Sequence, residues 1–493
     1  GMWSLAIWND NSKELILSRD RFGQKPLFYF KYNNEIFFGS QINQITKLSN
    51  FFFKVNKKKV FDYLGAGYRS LFKDNKTFYD KIYHFPPGNY AIIKNQKITF
   101  KKFWTLKNKV NFKLNYNDAK TQLNYLINKS VKNCLISDQK VSTMLSGGID
   151  SNVIFSCIKE QTHKDITTCS VIDSDSRYDE SENIQISLKD TLNKNIFVDG
   201  KDISSQDLIE NLKKKIYFYS SPVLTISSYV SSFLQKKISE SGIRVNLSGN
   251  GSDEIFSGYY QHHAYFLKTI KSQKNYSENQ KYWKEKIYPI VRNPHLRDEK
   301  IFLKNRNYIK SLLNYLVNPE ILNVFKKKYS YNFKEKKFSY NFLKNRMYNE
   351  MFYENIPTAL FEDDRNHMYY SIENRSPFLD KDVVEFAQTL PPEFLINKGI
   401  AKYILRDSFV GKINNKILFN HEKKGFNFNL AKVMLEKNNK SQIITILENK
   451  INPIFEYINF NKVKKMLDKK NFLNSETKFL FSILNAAIFL NKS

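Results

Sequence analysis

Cysteine is scarce in this sequence: Cys134, Cys157 and Cys169 are the only three in 493 residues. They show neither the close pairs of a metal site nor the dense, even spacing of a disulfide framework, so a reducing, cytoplasmic compartment is expected. Long apolar runs are missing too. The longest candidate, Phe479–Leu490, falls short of the roughly 18 residues of a membrane helix. Ser482 and Asn485 also interrupt it, so it predicts a buried helix and no membrane partner. No signal-peptide pattern opens the chain, and no internal repeat runs through it. Acidic residues are few against basic ones, 48 against 78, which leaves a net charge of +30. Such an excess can mark a nucleic-acid partner. Here the lysines are dispersed among asparagine, isoleucine, phenylalanine and tyrosine, and Lys57–Lys59, Lys213–Lys215 and Lys326–Lys328 are only short runs. They read as solvated faces and turns, and no nucleic-acid partner is expected.

The length predicts two or more domains. Met2–Trp8 reads as a buried strand with no lead-in, which predicts a chain that starts in the middle of a domain. Glu14–Ser18, Pro26–Phe30 and Glu35–Gly39 follow as one meander. Arg19, Asp20 and Arg21 in the charged turn between them read as structural. Val60–Gly65 reads as a helix, and Tyr90–Ile93 with Lys97–Trp104 as a hairpin. Lys107–Asn115 is polar and reads as a linker. Beyond it, helix-period and strand-like stretches alternate. A helix is expected over Asn117–Cys134, with Leu123, Leu126, Ile127 and Val131 on one face. Strands are expected at Val141–Leu145, Thr167–Val171, Asn195–Val198 and Arg244–Leu247. Helices near 152–160, 179–192, 205–219 and 227–241 separate them. This alternation predicts an α/β fold with a parallel sheet, helices on both faces and ligands at the carboxyl ends of the strands. After Tyr259 the strand signals fade and the chain reads as mostly helical.

Two stretches carry the chemistry. In Val141–Ser151, VSTMLSGGIDS, an apolar strand runs through Ser146, Gly147 and Gly148 into a helix opened by Asp150 and Ser151. A strand, a glycine turn and a helix N-terminus make a cradle for phosphate. Asp150 at its rim can hold a Mg²⁺ that also touches phosphate. No G-x-x-x-x-G-K-[ST] spacing is present, so this is not a Walker A loop. The second stretch, Ser248-Gly249-Asn250-Gly251-Ser252-Asp253-Glu254, repeats that form after the strand Arg244–Leu247. Two such loops on parallel strands can face one nucleotide, with Asp150 and Asp253 sharing one metal.

With these residues in view, the chain resembles the asparagine synthase family of glutamine-dependent amidotransferases. LSGGIDS (145–151), LSGNGSDEIFSGYY (247–260), DDRNHMYYSIENRSPFLDKDVVEFA (363–387), AKYILRDSF (401–409) and KKGFNF (423–428) follow the family's order. MWSLAIW, SRDRFGQKPLFY and FPPG resemble the end of its glutaminase domain. The resemblance implies an adenine nucleotide alpha hydrolase-like, pyrophosphate-loop ATPase domain with a helical C-terminal part. A partial α+β glutaminase domain of the N-terminal-nucleophile (Ntn) type precedes it. The implied boundaries are 1–106 for the glutaminase part, 107–116 for the linker and 117–493 for the synthetase domain. Within the last, 117–260 is the nucleotide-binding core and 261–493 is mostly helical.

The implied reaction is amidation of a small carboxylate through an acyl-adenylate, aspartate to asparagine by default, using ATP, Mg²⁺ and ammonia or glutamine-derived ammonia. By the same resemblance Leu145, Ser146, Gly147, Gly148, Asp150, Ser151, Val171, Ser248 and Gly249 bind ATP. Asp150 and Asp253 bind metal, and Lys402, Asp150 and Asp253 are catalytic. Without the motif, Lys402 reads as a solvated helix lysine. Glu373 and Arg375 read either as ordering the substrate side or as a buried ion pair joining helices, with the structural role favoured. The family's glutaminase edges imply a homodimer. Two departures stand out. No N-terminal cysteine nucleophile is present, since the first cysteine is Cys134; the chain as written is expected to be a fragment or to use free ammonia. Asn250 stands where the family usually carries an acid, and an amide can hydrogen-bond but not take a proton. Asn250 and the pair His262-His263 keep open a second acceptor, a sugar uronate of surface-polysaccharide assembly. Those histidines read first as surface or packing residues.

Overall fold

The computed structural model describes residues 1–162, 166–173, 175, 179–189, 191, 194–204, 207–291, 294–297, 318–327, 334–422, 428–449 and 451–491. Of the motif at 423–428, only Phe428 lies within them.

The front of the chain forms two sheets rather than one meander. Strands β1 (Ser4–Asn9), β2 (Glu14–Arg19), β6 (Asn89–Lys94) and β7 (Lys97–Lys102) pair antiparallel in the order β1-β2-β6-β7. Strands β3 (Phe28–Tyr32), β4 (Glu35–Gly39) and β5 (Ile82–His84) make a second sheet, ordered β4-β3-β5. The turn after β2 redirects the chain. Asp20 accepts the N–H groups of Phe22, Gln24 and Lys25. The Arg19 guanidinium donates to the carbonyls of Lys25, Gly23 and Phe85, and Arg21 lies over the Trp3 ring. Arg19 and Asp20 thus hold the backbone of this corner, and Arg21 packs on its aromatic side chains. The strand at the start forms, but it is not buried: Leu5, Ile7 and Trp8 are 44%, 52% and 57% exposed. Strand β1 is an edge, and its apolar side chains stay about half in solvent.

No helix or strand forms between Lys102 and Tyr116. The helix Tyr116–Leu135 then starts at Asn115, whose side chain accepts from the N–H groups of Asn117 and Asp118, satisfying two of the donors that a helix start leaves open. Leu123, Leu126, Ile127 and Val131 are its buried face, as their spacing predicts.

The centre is a five-stranded, fully parallel sheet in the order β10-β9-β8-β11-β12. Its strands are β8 (Val141–Met144), β9 (Thr167–Ile172), β10 (Asn195–Asp199), β11 (Val245–Leu247) and β12 (Glu373–Arg375). The first four follow the sequence reading. Two apolar clusters flank the sheet. One joins Cys169 and Val198 to the helices Leu208–Tyr219 and Ile226–Glu240. The other joins Val245 and Leu247 to Tyr116–Leu135 and to Ile149–Gln161. The helix Ile149–Gln161 is buried on most sides through Ile158, with the polar Ser151, Asn152 and Ser156 enclosed beside Val153, Ile154, Phe155, Cys157 and Ile158.

Strand β12 was not legible in the sequence. Glu-Asn-Arg is three polar residues at a sheet edge, too short and too hydrophilic to show a period. It follows that Glu373 and Arg375 do not join helices. They are neighbours on one strand, with Arg375 Nε 2.6 Å from Glu373 Oε1, and both stay partly exposed. Arg375 also donates to the carbonyls of Cys134 and Ile136, which caps the end of the helix Tyr116–Leu135.

Toward the C-terminus the helix Asn474–Leu490 is buried as expected. Its polar interruptions are satisfied inside: Asn485 accepts from Val223 N–H and donates to Phe481 O, and Ser482 donates to Lys478 O. Among the described residues no helix is long and apolar enough to cross a membrane. All three cysteines are free, and burial pushes their thiols up, Cys134 to about 11.

Candidate active site

The first loop is held open by its own side chains. Ser146 N–H donates to Ser151 Oγ at 3.0 Å, and Gly148 N–H to Ser146 Oγ at 3.2 Å. Asn152 Nδ2 donates to the carbonyls of Ser146 and Gly148, and Ser187 holds Asn152 in turn. Gly147 N–H points at a carboxylate oxygen, Glu180 Oε2, at 3.3 Å. An amide that already faces an anionic oxygen at the head of a helix is what a phosphate cradle requires. A Cβ on Gly147 would lie 2.9 Å from Asn183 Cβ and 3.0 Å from Glu180 Cβ, so only glycine fits. Glu180 and Asn183 come from the helix region after β9, and local pattern gave no sign of them.

Strands β8 and β11 are neighbours, so their carboxyl-end loops meet. Ser252 Oγ donates to Asp150 Oδ1 at 2.7 Å. A Cβ on Gly249 would approach Asp150 Cβ to 3.0 Å. Ser248 N–H donates to Arg375 O on β12, which fixes the start of the second loop.

Lys402 closes the site. Its Nζ lies 2.5 Å from Asp150 Oδ1 and 2.6 Å from Asp253 Oδ1, with the lysine side chain only 5% exposed. Burial by itself would depress this ammonium, but the two carboxylates outweigh it and hold the lysine above its ordinary range. Arg406, a few residues on, feels the same two charges. The sequence places Lys402 on a helix. Instead the helix is Tyr403–Asp407, and Lys402 precedes it with φ +55°. That conformation costs a non-glycine residue about 1–2 kcal/mol, and such strain persists where the surroundings fix it. Here the short hairpin of Ile396–Asn397 with Ile400–Ala401 delivers the residue to the carboxylates.

Gly258 belongs to the same cluster and was not singled out from the sequence. A Cβ there would sit 1.7 Å from Asp253 Oδ1 and 2.4 Å from Lys402 Cε. Two predicted nucleotide contacts differ from expectation in kind. The Leu145 side chain is sealed in a cluster with Phe155 and Ile184, so it offers a ligand no side-chain surface. Val171, half-buried on β9, packs against an apolar cluster.

Asp150 and Asp253 already share one cation, an ammonium. Two hard carboxylate oxygens so placed fit a Mg²⁺ that keeps waters and takes its remaining ligands from phosphate. Among the described residues no group of three or more His, Cys, Asp or Glu could hold an ion alone. A metal arriving with the nucleotide matches that donor set.

His262 and His263 are buried, not at the surface. His262 Nε2 lies 2.6 Å from Glu350 Oε2, and Glu350 also meets Arg346 at 3.0 Å. This buried network of His262, Glu350 and Arg346 braces the segment behind the second loop. Burial, with His262 and His421 nearby, pushes His263 down to about 3. The unfolded chain takes up that proton near pH 6.5, whereas the folded protein does not. The stability it contributes is therefore full above pH 6.5 and is lost as pH falls. His263→Gln is expected to lose about 2 kcal/mol less than the parent between pH 7 and pH 5. Urea unfolding at both pH values measures this, and equal losses would refute a neutral buried His263.

A family profile described as "Asparagine synthase" matches residues 122–487, and one described as "Glutamine amidotransferase domain" matches residues 1–104. The chain is 26% identical over 443 residues to "Asparagine synthetase [glutamine-hydrolyzing] 1" of Bacillus subtilis (strain 168), covering 86% of this chain and 67% of that protein. It is 23% identical over 441 residues to "Asparagine synthetase [glutamine-hydrolyzing] 3" of the same organism, covering 85% and 66%. It is 25% identical over 277 residues to "Amidase chry2" of Gibberella zeae, covering 52% and 40%. The chain thus spans about two thirds of the length of the two Bacillus relatives.

Proposed function

We propose, from the premise that this chain belongs to the asparagine synthase family, that it joins ammonia to a carboxylate at the expense of ATP. The observation that carries this reading is the meeting of Asp150, Asp253 and Lys402 at the carboxyl ends of β8 and β11, beside the Ser146–Gly148 turn. The carboxylate oxygen attacks the α-phosphate, which gives an acyl-adenylate and pyrophosphate. Ammonia, free or released from glutamine, then attacks the acyl carbon, and AMP leaves. Backbone N–H groups of Ser146–Gly148 turn from their internal acceptors toward the leaving pyrophosphate. The Lys402 ammonium stands where negative charge builds up, and a charge already in place stabilises a transition state without reorganisation. Mg²⁺, held by Asp150 and Asp253, would supply further positive charge to phosphate oxygens.

Aspartate is the proposed acceptor, since the relatives with the widest cover are named for asparagine synthesis. With both histidines buried, only Asn250 still favours a sugar uronate. The test is pyrophosphate release from Mg·ATP and ammonium, with aspartate set against a panel of uronates. Release with aspartate, accompanied by asparagine, is the expected result. Release with a uronate alone would move the acceptor to sugar acids. ATP binding with no release from any acid would overturn the amidation reading.

A further inference from the structure

We infer that Asp363 is the proton acceptor of the amide-forming step, working beside Asn250 on the second loop. This rests on the reaction proposed above and goes beyond it, because that reaction needs a base and the nucleotide loops supply none.

The carboxylates around the loops can be assigned one by one. Asp150 and Asp253 are both paired to Lys402. Both carboxylates are thus committed to that ammonium. Glu254 accepts from the Tyr259 hydroxyl. Asn250 is a neutral amide. Asp363 remains. Its Oδ2 accepts from Asn250 Nδ2, and among the described residues no ion pair holds it. Asn250 follows Gly249, the residue pressed against Asp150, so this contact sets Asp363 beside the nucleotide loops.

The helix that carries Asp363, Asn355–Tyr369, is fixed on several sides. Asp363 O meets His367 Nδ1, and His367 Nε2 lies 3.1 Å from Asn246 Nδ2 on β11. Glu362 accepts the N–H groups of Leu224 and Thr225. Arg365 donates to Ser221, and Asn366 to Ser228. A group held this firmly can be positioned for proton transfer. Burial pushes Asp363 up to about 6; the Asn250 amide opposes this, while the charge of Asp364 adds to it. Asp364 is itself matched to Lys25 at 3.1 Å, and His367 is kept neutral by burial. At neutral pH Asp363 is thus ionised, yet more basic than an ordinary aspartate, which suits a general base.

The step balances without a further reactant. The ammonia lone pair forms the C–N bond at the acyl carbon. The bond from that carbon to the oxygen on the AMP phosphorus breaks, and its electron pair leaves with AMP. One N–H proton passes to the Asp363 carboxylate and on to solvent.

The test separates the two halves of the reaction in the 493-residue chain. ATP–pyrophosphate exchange with the accepted acid reads adenylation, and product formation with ammonium reads amidation. In Asp363→Asn, amidation is expected to fall about 10²-fold or more, while exchange changes by about threefold at most. The exchanged pair, N250D with D363N, returns a carboxylate to the same contact and is expected to regain at least about tenfold over D363N. Amidation unchanged in D363N, or an equal fall in exchange and amidation, would overturn the proposal. If D363N does not fold, the exchanged pair decides. Amidation near a tenth of the parent supports the proposal, and retained exchange without amidation overturns it. A parent chain that exchanges with no acid overturns the reaction itself, and the proposal with it.

Discussion

Replacing Lys402 by methionine is expected to slow pyrophosphate release from Mg·ATP about 10²–10³-fold, the usual loss for one preorganised charge at a reacting phosphate. Methionine keeps most of the length and apolar contact of the lysine stem and removes only the ammonium. The loss follows from what Lys402 touches: both Oδ1 atoms, at 2.5 Å and 2.6 Å. Without it two carboxylates face each other with no shared cation. Breaking a fully buried pair costs about 3–5 kcal/mol. Here Asp150 keeps 25% of its side chain in solvent, so about 2 kcal/mol is expected after that discount. The same reasoning predicts a second signature. Mg²⁺ should raise the melting temperature of Lys402→Met more than that of the parent, because the metal no longer competes with the ammonium. A variant that releases pyrophosphate within about tenfold of the parent, and gains nothing from Mg²⁺, would remove Lys402 from the site.

Gly258→Ala should be as severe, for a steric reason. The added methyl would fall 1.7 Å from Asp253 Oδ1 and 2.4 Å from Lys402 Cε. Neither atom can retreat without parting the ion pair, and a shift of about 1 Å at a reacting centre can cost about 10²-fold. We expect at least that loss in pyrophosphate release, with the fold retained by circular dichroism. Gly242→Ala is the control. Its glycine has φ +75° with nothing within 4 Å, so it should lose about 1–2 kcal/mol of stability and leave the rate alone. Equal activity in both variants would show that the contact at Gly258 does not matter.

These expectations could not all have been written from the sequence. The strand, glycine turn and helix at 141–151 were legible because a phosphate cradle is local: a few adjacent residues fix its backbone. The same holds for the second loop, for the helix Tyr116–Leu135 and for the apolar helix Asn474–Leu490. Other features were misread where the local signal fails. The apolar side chains of β1 announce a strand but cannot say whether anything covers them. The three polar residues of β12 gain their structure from pairing with Val245–Leu247, not from their own pattern. Lys402 lies in helical sequence, but the preceding hairpin turns it out of the helix.

The sequence by itself determined the family, the parallel α/β core and the two loops at its strand ends, since each is set by residues close together in the chain. Only the tertiary structure decided the rest. Lys402 reaches Asp150 across 252 positions, and Asn250 meets Asp363 across 113. No periodicity records such distances. Those pairs form because strand order sets β8 beside β11 and packing holds Asn355–Tyr369 against β12. Charge pairing, burial and the room for a single glycine at 258 follow from that arrangement.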